Sequence, residues 1–207
     1  MLKFLTEGIG TCILVFAIGL TTDPIAAGLI LVTLLYVGFS ITEVHFNPAI
    51  TVGSWTIGKI SSTGMMIRLA GQFCGAIAGA FMVSWISIIG YIPRPAGSTG
   101  VAEFILLEIL FSGLFVLLFM YLIYSSSSQR KRTLSGLIIG AAFAGCYMVM
   151  ESVIGFGMHP ALNSAFSLVD YLQGGNSYLH LPIYFFAPLV AALIAALIFK
   201  RVPVAHS

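Results

Sequence analysis

The fold is decided by the stretch His45-Phe46-Asn47-Pro48-Ala49-Ile50-Thr51 and by a second one, Met158-His159-Pro160-Ala161-Leu162. Each opens an apolar segment of about twelve residues, which is too short to cross a bilayer and is typical of a re-entrant piece. Proline is favourable at the first helical position, because its missing N–H would be unpaired there anyway. Pro48 and Pro160 are therefore each predicted to start a half-helix.

The remainder of the chain is too apolar for a water-soluble protein. Of its 207 residues, 59% are hydrophobic and 8% are charged, whereas soluble domains carry about 25% charged residues. A bilayer core takes about 20 helical residues to cross, and six continuously apolar runs are long enough: 4–20, 25–42, 64–89, 101–124, 134–152 and 181–199. A barrel would instead show short alternating segments. The sequence predicts an all-α membrane protein with six transmembrane helices and two re-entrant half-helices.

The order of these segments repeats. Residues 1–95 and 96–207 each contain two spans, one short Pro-Ala segment and a third span, within a single transmembrane domain of residues 1–207. Three spans per half invert the second half relative to the first. The half-helices then enter from opposite faces and meet near the midplane with unpaired N–H groups and about half a positive charge each. This arrangement favours passive passage of neutral, hydrogen-bonding solutes and opposes cations.

The basic residues predict the orientation. Eight lie on one side of the six spans and only Arg94 lies on the other; the eight are Lys3, Lys59, Arg68, Arg130, Lys131, Arg132, Lys200 and Arg201. Basic residues concentrate on the cytoplasmic side, so both termini are expected in the cytoplasm and the chain in the inner cell membrane. The net charge of +2 at membrane borders gives no sign of a nucleic-acid partner.

Cys12, Cys74 and Cys146 fall within spans and are expected to be packed thiols.

The chain resembles the aquaporin family along almost its whole length. The resemblance rests on Thr6-Glu7-Gly8-Ile9-Gly10-Thr11, the Asn47 stretch, Gln72, Glu108 and residues 185–190. It implies a homotetramer in which each subunit has its own pore for water or small neutral solutes, with no cofactor. It also implies that the two pore signatures are Asn47, Pro48, Ala49 and His159, Pro160, Ala161.

The second signature departs from the family pattern Asn-Pro-Ala-Arg, because the chain has His159-Pro160-Ala161-Leu162. By offset from the family pattern, the selectivity constriction is expected at Ala27, Tyr147, Phe156 and Leu162. Without the arginine this constriction is unusually apolar, and a narrow apolar lining penalises water. We expect slower water flux and better tolerance of larger or less polar solutes. The sequence does not distinguish among glycerol-like polyols, ammonia and neutral metalloid hydroxides as the permeating solute.

Several polar residues have two interpretations. Asn47 either donates its amide to a permeating oxygen or only caps its helix, and the two roles are compatible. His159 is expected to be neutral and to donate one hydrogen bond in place of the missing asparagine, because burial and a positive helix end both disfavour its charged form. A pH gate at His159 is a further hypothesis. His45 either lines one half of the pore or makes core hydrogen bonds.

Four carboxylates lie in or beside the membrane. For Glu7 and Glu108 the resemblance implies that they accept hydrogen bonds from the backbone of the re-entrant segments, with proton transport as the alternative. Glu43 and Glu151 have no family precedent and are compatible with simple hydration.

Two other functional classes compete with a channel. A proton- or ion-coupled secondary transporter would also have an inverted repeat and buried glutamates, but its flux would saturate and accumulate solute. A metalloenzyme would have to use Glu43, His45, Glu151 and His159. The Glu-x-His spacing does not place two ligands on one helix face. The sequence therefore predicts a protein without enzymatic activity or a metal site.

Overall fold

A computed structural model describes residues 1–87, 90–125 and 129–201, except the side chains of residues 129–133. Across these ranges the chain forms eight helices and no strand: α1 Leu2–Thr21, α2 Pro24–Ile41, α3 Pro48–Thr56, α4 Ser62–Ile86, α5 Val101–Tyr124, α6 Gln129–Ile154, α7 Pro160–Leu172 and α8 Leu181–Arg201. A short 3₁₀ turn, Ser177–Leu179, connects α7 to α8.

Within the described ranges, six helices are long and apolar enough to cross a membrane, namely α1, α2, α4, α5, α6 and α8. The predicted fold class is confirmed, although two helix boundaries differ from the predicted runs by more than two residues. Helix α4 ends at Ile86, and residues 88–89 of the predicted run lie outside the described residues. Helix α6 starts at Gln129, five residues before the predicted run. A helix can extend beyond its apolar stretch, because its backbone hydrogen bonds are made within the helix and require no apolar side chains.

The two short helices, α3 and α7, each begin with proline at the first helical position. Asn47 caps α3 by accepting a hydrogen bond from the Ala49 N–H at 2.8 Å, and His159 caps α7 by accepting one from the Leu162 N–H at 3.2 Å. Helix α3 has 9 residues. Helix α7 has 13 and ends at Leu172, which agrees with the predicted length of about twelve residues. Both are shorter than the six candidate spans.

Close helix contacts depend on glycine at two places. A Cβ at Gly75 of α4 would overlap the Gly8 carbonyl oxygen of α1, and a Cβ at Gly28 of α2 would lie 2.6 Å from the Gly140 carbonyl oxygen of α6. Small residues allow such backbone approach where lipid supplies no hydrophobic drive between helices. The pairs α1–α4 and α2–α6 are thus closely packed, whereas the half-helices α3 and α7 pack mainly against α4 and α8.

Helix α5 contains one widened π-helical turn, Glu108–Ser112. Such turns insert an extra residue into the helix and are frequent at functional sites. Here the turn begins at the buried carboxylate Glu108.

The cysteines are free, as expected, but they are not all packed. Cys146 is buried and Cys12 is partly buried, whereas Cys74 is exposed on the outer surface of α4. The expectation of packed thiols is wrong for Cys74, because its neighbour Gly75 occupies the face of α4 that meets α1.

Candidate functional site: the paired half-helices

The caps of the two half-helices are crossed. The Asn47 side-chain amide donates to the Met158 carbonyl at 2.9 Å, and His159 Nε2 donates to the Phe46 carbonyl at 2.7 Å. Phe46 and Met158 have φ values of 53° and 62°, in the left-handed region that non-glycine residues rarely adopt. Each cap therefore completes its own helix and also bonds to the residue before the other cap.

These bonds determine the protonation of the His159 ring. Its Nδ1 accepts the Leu162 N–H, so the ring hydrogen belongs on Nε2, where it is donated to Phe46. A doubly protonated ring would direct an N–H at the Leu162 N–H. The geometry accordingly requires the neutral imidazole that the sequence predicts.

The crossed caps leave one side-chain donor at the half-helix ends. Asn47 has two amide hydrogens, of which the described contacts use one, while His159 has a single hydrogen that Phe46 already accepts. His159 donates one hydrogen bond, as expected, and the acceptor is the Phe46 carbonyl. One Asn47 amide hydrogen thus lies beside a ring whose two nitrogens both have hydrogen-bond partners.

Two buried glutamates hold the backbone of the re-entrant segments. Glu7 of α1 accepts the His45 N–H at 2.9 Å and the Phe46 N–H at 2.7 Å. Glu108 of α5 accepts the Met158 N–H at 3.0 Å. These bonds fix the two left-handed residues, and the fully buried carboxylates serve as fixed acceptors for the loops.

Arg68 is a buried member of the site, although its position in the sequence predicted a charge at the membrane border. Its side chain is 1% exposed, its Nε lies 3.5 Å from Glu7 Oε1, and its Nη2 donates to the Glu43 carbonyl at 3.1 Å. Gln72, one turn later on α4, donates to Glu7 at 2.8 Å and to Thr51 at 2.9 Å. Residues four apart share a helix face, so the spacing of Arg68 and Gln72 was the signal available in the sequence.

Aromatic rings meet on the α7 side of the caps. Of the four expected constriction residues, Tyr147 and Phe156 are in edge-to-face contact with centroids 4.3 Å apart. Ala27 and Leu162 are buried in the same core. The Tyr147 hydroxyl donates to the Thr22 carbonyl at 3.0 Å. The group includes no charged side chain.

The backbone of Phe156 is held by Tyr91 and Asn163, two residues that belong to neither signature. The Phe156 N–H donates to the Tyr91 hydroxyl at 3.0 Å, and the Asn163 amide donates to the Phe156 carbonyl at 2.9 Å. Tyr91 lies outside the recognised stretches and Asn163 just beyond the second, so nothing in the sequence connected them with Phe156.

A narrow internal space runs beside the caps. It is lined by Asn47, His159, His45 and apolar side chains of α1, α2, α5 and α6, including Leu14, Phe115 and Phe143. We call it the midplane space. In this conformation no part of it is wide enough to admit a water molecule. Its lining is mostly apolar, so few groups replace the hydrogen bonds that a water molecule loses on entry.

Comparison with known proteins decides the family. A family profile described as "Major intrinsic protein" matches residues 2–199. The chain belongs to the major intrinsic protein family. A glycerol uptake facilitator protein-like sequence of Lactiplantibacillus plantarum is 30% identical over 214 residues, covering 95% of each chain. An aquaporin of Methanothermobacter marburgensis is 26% identical over 184 residues, covering 85% of this chain and 74% of the relative.

A solved structure agrees with the fold of the family. The aquaglyceroporin of Plasmodium falciparum superposes with a TM-score of 0.78 at 18% identity, covering 96% of this chain and 93% of the other. Family membership confirms the predicted recognition and agrees with a channel for water or small solutes. It gives no support to the alternative of a coupled transporter.

The carboxylates without precedent lie in different surroundings in this family member. Glu151 is exposed near the end of α6. Glu43 lines a cavity of about 230 Å³ together with Phe39, Thr42, Lys59, Ile123 and Tyr124, which we call the Glu43 vestibule. His45 borders the midplane space, and its Nδ1 lies 3.0 Å from Thr51 Oγ1. Of the two interpretations of His45, pore lining and core hydrogen bonding, this geometry is compatible with both.

Proposed function

We propose that this chain is a passive channel in which small uncharged solutes such as glycerol-like polyols pass more readily, relative to water, than through a water-selective channel. The observation that carries the proposal is the crossed pair of caps, in which the Asn47 amide keeps the one hydrogen without a described acceptor, beside a mostly apolar space. Water depends on such donors in a narrow pore more than a solute with apolar surface does.

The pore is assigned to the residues already described. The signatures are Asn47, Pro48, Ala49, His159, Pro160 and Ala161; the constriction is Ala27, Tyr147, Phe156 and Leu162; and the supporting residues are His45, Glu7 and Glu108. Leucine at 162 supplies no charge and no donor. The names of the relatives support both solute classes, since one is called a glycerol uptake facilitator protein-like sequence and another an aquaporin.

We infer in addition that the pore works as a homotetramer in the cell membrane with both termini in the cytoplasm. The family resemblance supports the assembly, and the distribution of basic residues supports the orientation. Large apolar side chains on the outer surface, such as Trp85 at 87% exposure, support contact with lipid or with neighbouring subunits.

The test is stopped-flow light scattering on proteoliposomes with water, glycerol, ammonia and a neutral metalloid hydroxide. We expect glycerol flux well above that of empty liposomes, together with water flux below that of a water-selective channel. Leu162→Arg should lower glycerol flux about ten-fold because it adds a charge and donors to the constriction. Leu162→Met preserves the apolar surface and serves as the matched control. Fast water flux without any solute flux would contradict the proposal, and solute accumulation against a gradient would indicate a coupled transporter.

A further inference from the structure

The midplane space and the Glu43 vestibule are separated by a small group of polar side chains. His45 lines the midplane space, whereas Glu43 and Tyr124 line the vestibule. The Tyr124 hydroxyl contacts both, at 2.6 Å from Glu43 Oε1 and 3.1 Å from His45 Nε2. The Tyr124 side chain therefore lies at the boundary between the two spaces.

The hydroxyl is fastened to the re-entrant segment by several bonds. It donates to the Glu43 carboxylate, and a hydrogen bond to a charged group is about twice as strong as one between neutral groups. It also lies 3.0 Å from Ser54 Oγ on α3. Tyr124 is the last residue of α5, so these contacts tie the end of a transmembrane helix to the loop before α3 and to α3 itself.

The backbone of Glu43 is anchored, whereas the side chains of Glu43 and Tyr124 are partly exposed. Arg68 holds the Glu43 backbone carbonyl at 3.1 Å. The Glu43 side chain is 38% exposed, and Tyr124 is only partly buried. The Tyr124 ring borders the vestibule, where Lys59 Nζ lies 5.7 Å from its centroid, so a rotation of this side chain into the vestibule would leave the anchored loop in place. The Tyr147–Phe156 pair on the opposite side is fully packed by comparison.

We propose that Tyr124, held by Glu43 and His45, closes the passage between the Glu43 vestibule and the midplane space, and that its release controls the flux and the solute size limit of the pore. The inference rests on the proposed channel function. The midplane space is narrowed by apolar side chains held by packing, whereas this boundary is closed by a hydrogen bond to a charged group. Tyr124 is thus a specificity-determining residue at the mouth opposite the aromatic constriction.

The experiment compares full-length variants in proteoliposomes by stopped-flow light scattering with water, glycerol and the larger polyol erythritol. Tyr124→Phe removes only the hydroxyl and should raise glycerol flux about ten-fold, since one hydrogen bond to a charged group shifts a two-state equilibrium by about that factor or more. Tyr124→Ala also removes the ring and should raise erythritol flux more than water flux. Glu43→Gln should raise glycerol flux by a smaller factor, because the amide oxygen is a weaker acceptor.

The matched control is Tyr121→Phe, one turn earlier on α5, where the ring packs on Phe199 with centroids 5.1 Å apart. It should leave all fluxes unchanged. The double variant Glu43→Gln/Tyr124→Phe should conduct no better than Tyr124→Phe, because both changes act on the same hydrogen bond, which Tyr124→Phe already removes. Size-exclusion chromatography of each purified variant verifies folding.

The outcomes separate the two proposals. In one outcome the wild type conducts glycerol and its flux is unchanged in Tyr124→Phe, Tyr124→Ala and Glu43→Gln. This result would overturn the role of Tyr124 and leave the channel function standing. A silent wild type that becomes conducting in the Tyr124 variants would support the gate. Proteoliposomes that stay impermeable with every variant would overturn both.

Discussion

The two re-entrant segments reach nearly the same geometry through different chemistry. In each, a glutamate from the first helix of that half binds the N–H of a residue with positive φ, and a cap and a proline follow. Glu7 in the first segment is bound by two backbone N–H groups, by Gln72 and by the Arg68 guanidinium. Glu108 in the second is bound by the Met158 N–H and the Ser112 hydroxyl, and its Oε1 has no hydrogen-bond partner in the part of the chain described.

The difference originates in the third long helix of each half. Helix α4 directs Arg68 and Gln72 into the core, whereas the buried face of α8 includes Tyr184, Ala187 and Pro188. The first segment is stabilised by a buried ion pair and the second by close packing around a carboxylate without a cation. The two segments have nearly the same backbone geometry, but we expect substitutions in them to change stability by different amounts.

The largest expected effect comes from neutralising each glutamate in turn. Glu7→Gln removes the buried charge partner of Arg68 and leaves only the partly exposed Glu43 carboxylate, 4.0 Å from Arg68 Nη2, so it should cost about 3 kcal/mol of unfolding free energy. Glu108→Gln retains an acceptor for the Met158 N–H and strands no cation, so its cost should be about 1 kcal/mol. Thermal unfolding of the purified proteins in detergent measures both. Equal losses of Tm would show that the charge on Arg68 does not distinguish the segments.

A smaller effect tests the packing of the second segment. A Cβ at Gly157 would lie 2.5 Å from Glu108 Oε1 and would also meet Met150 Cε. Gly157→Ala should therefore cost about 1–3 kcal/mol through overpacking. Gly145→Ala on α6 is the matched control, because a Cβ there meets nothing within 4 Å. If the two alanine variants melted at the same temperature, packing would not be what stabilises this segment.

The smallest effect concerns the caps themselves. His159→Asn provides an amide with one hydrogen for the Phe46 carbonyl and one for a permeating oxygen. One additional hydrogen bond should raise water flux about two- to ten-fold. Stopped-flow measurements on proteoliposomes test this, with Asn47→His as the reciprocal variant that should reduce water flux. An unchanged water flux in His159→Asn would show that the donor at this position does not limit permeation.

A comparison of the wild type with His159→Asn also tests the hypothesis of a pH gate at His159. Protonation of His159 Nδ1 would break its bond from the Leu162 N–H, so the neutral ring is the one that fits the cap. We expect the wild type and His159→Asn to have the same pH dependence of flux between pH 5 and 7. A pH response that His159→Asn abolishes would instead establish the gate.

The sequence was sufficient for the fold because hydrophobic length and proline position act locally. Spans of about 20 apolar residues and the Pro48 and Pro160 helix starts require no knowledge of distant contacts. The family resemblance implied that Glu7 and Glu108 accept hydrogen bonds from the backbone of the re-entrant segments. It also implied the constriction residues, of which the structure brings Tyr147 and Phe156 into contact.

The remaining features depend on contacts between distant parts of the chain. Tyr124 and Glu43 are 81 residues apart, and no local pattern connects them. Arg68 resembled a border charge because its burial arises only when α4 packs on α1 and the loop before α3. The number of donors at the caps depends on which ring nitrogen of His159 carries the hydrogen, and this follows from bonds to Phe46 and Leu162.

The crossed caps also have a consequence for biogenesis. Asn47 is synthesised 111 residues before its partner Met158, so a nascent chain at the translocon contains the first loop long before the groups that complete it. Unpaired polar backbone is costly in lipid, and the first loop must therefore stay hydrated or chaperoned until the second loop arrives. Insertion of this protein should accordingly end with a late joining of both loops, and a ribosome that stalls before Met158 should release a product susceptible to quality-control proteases.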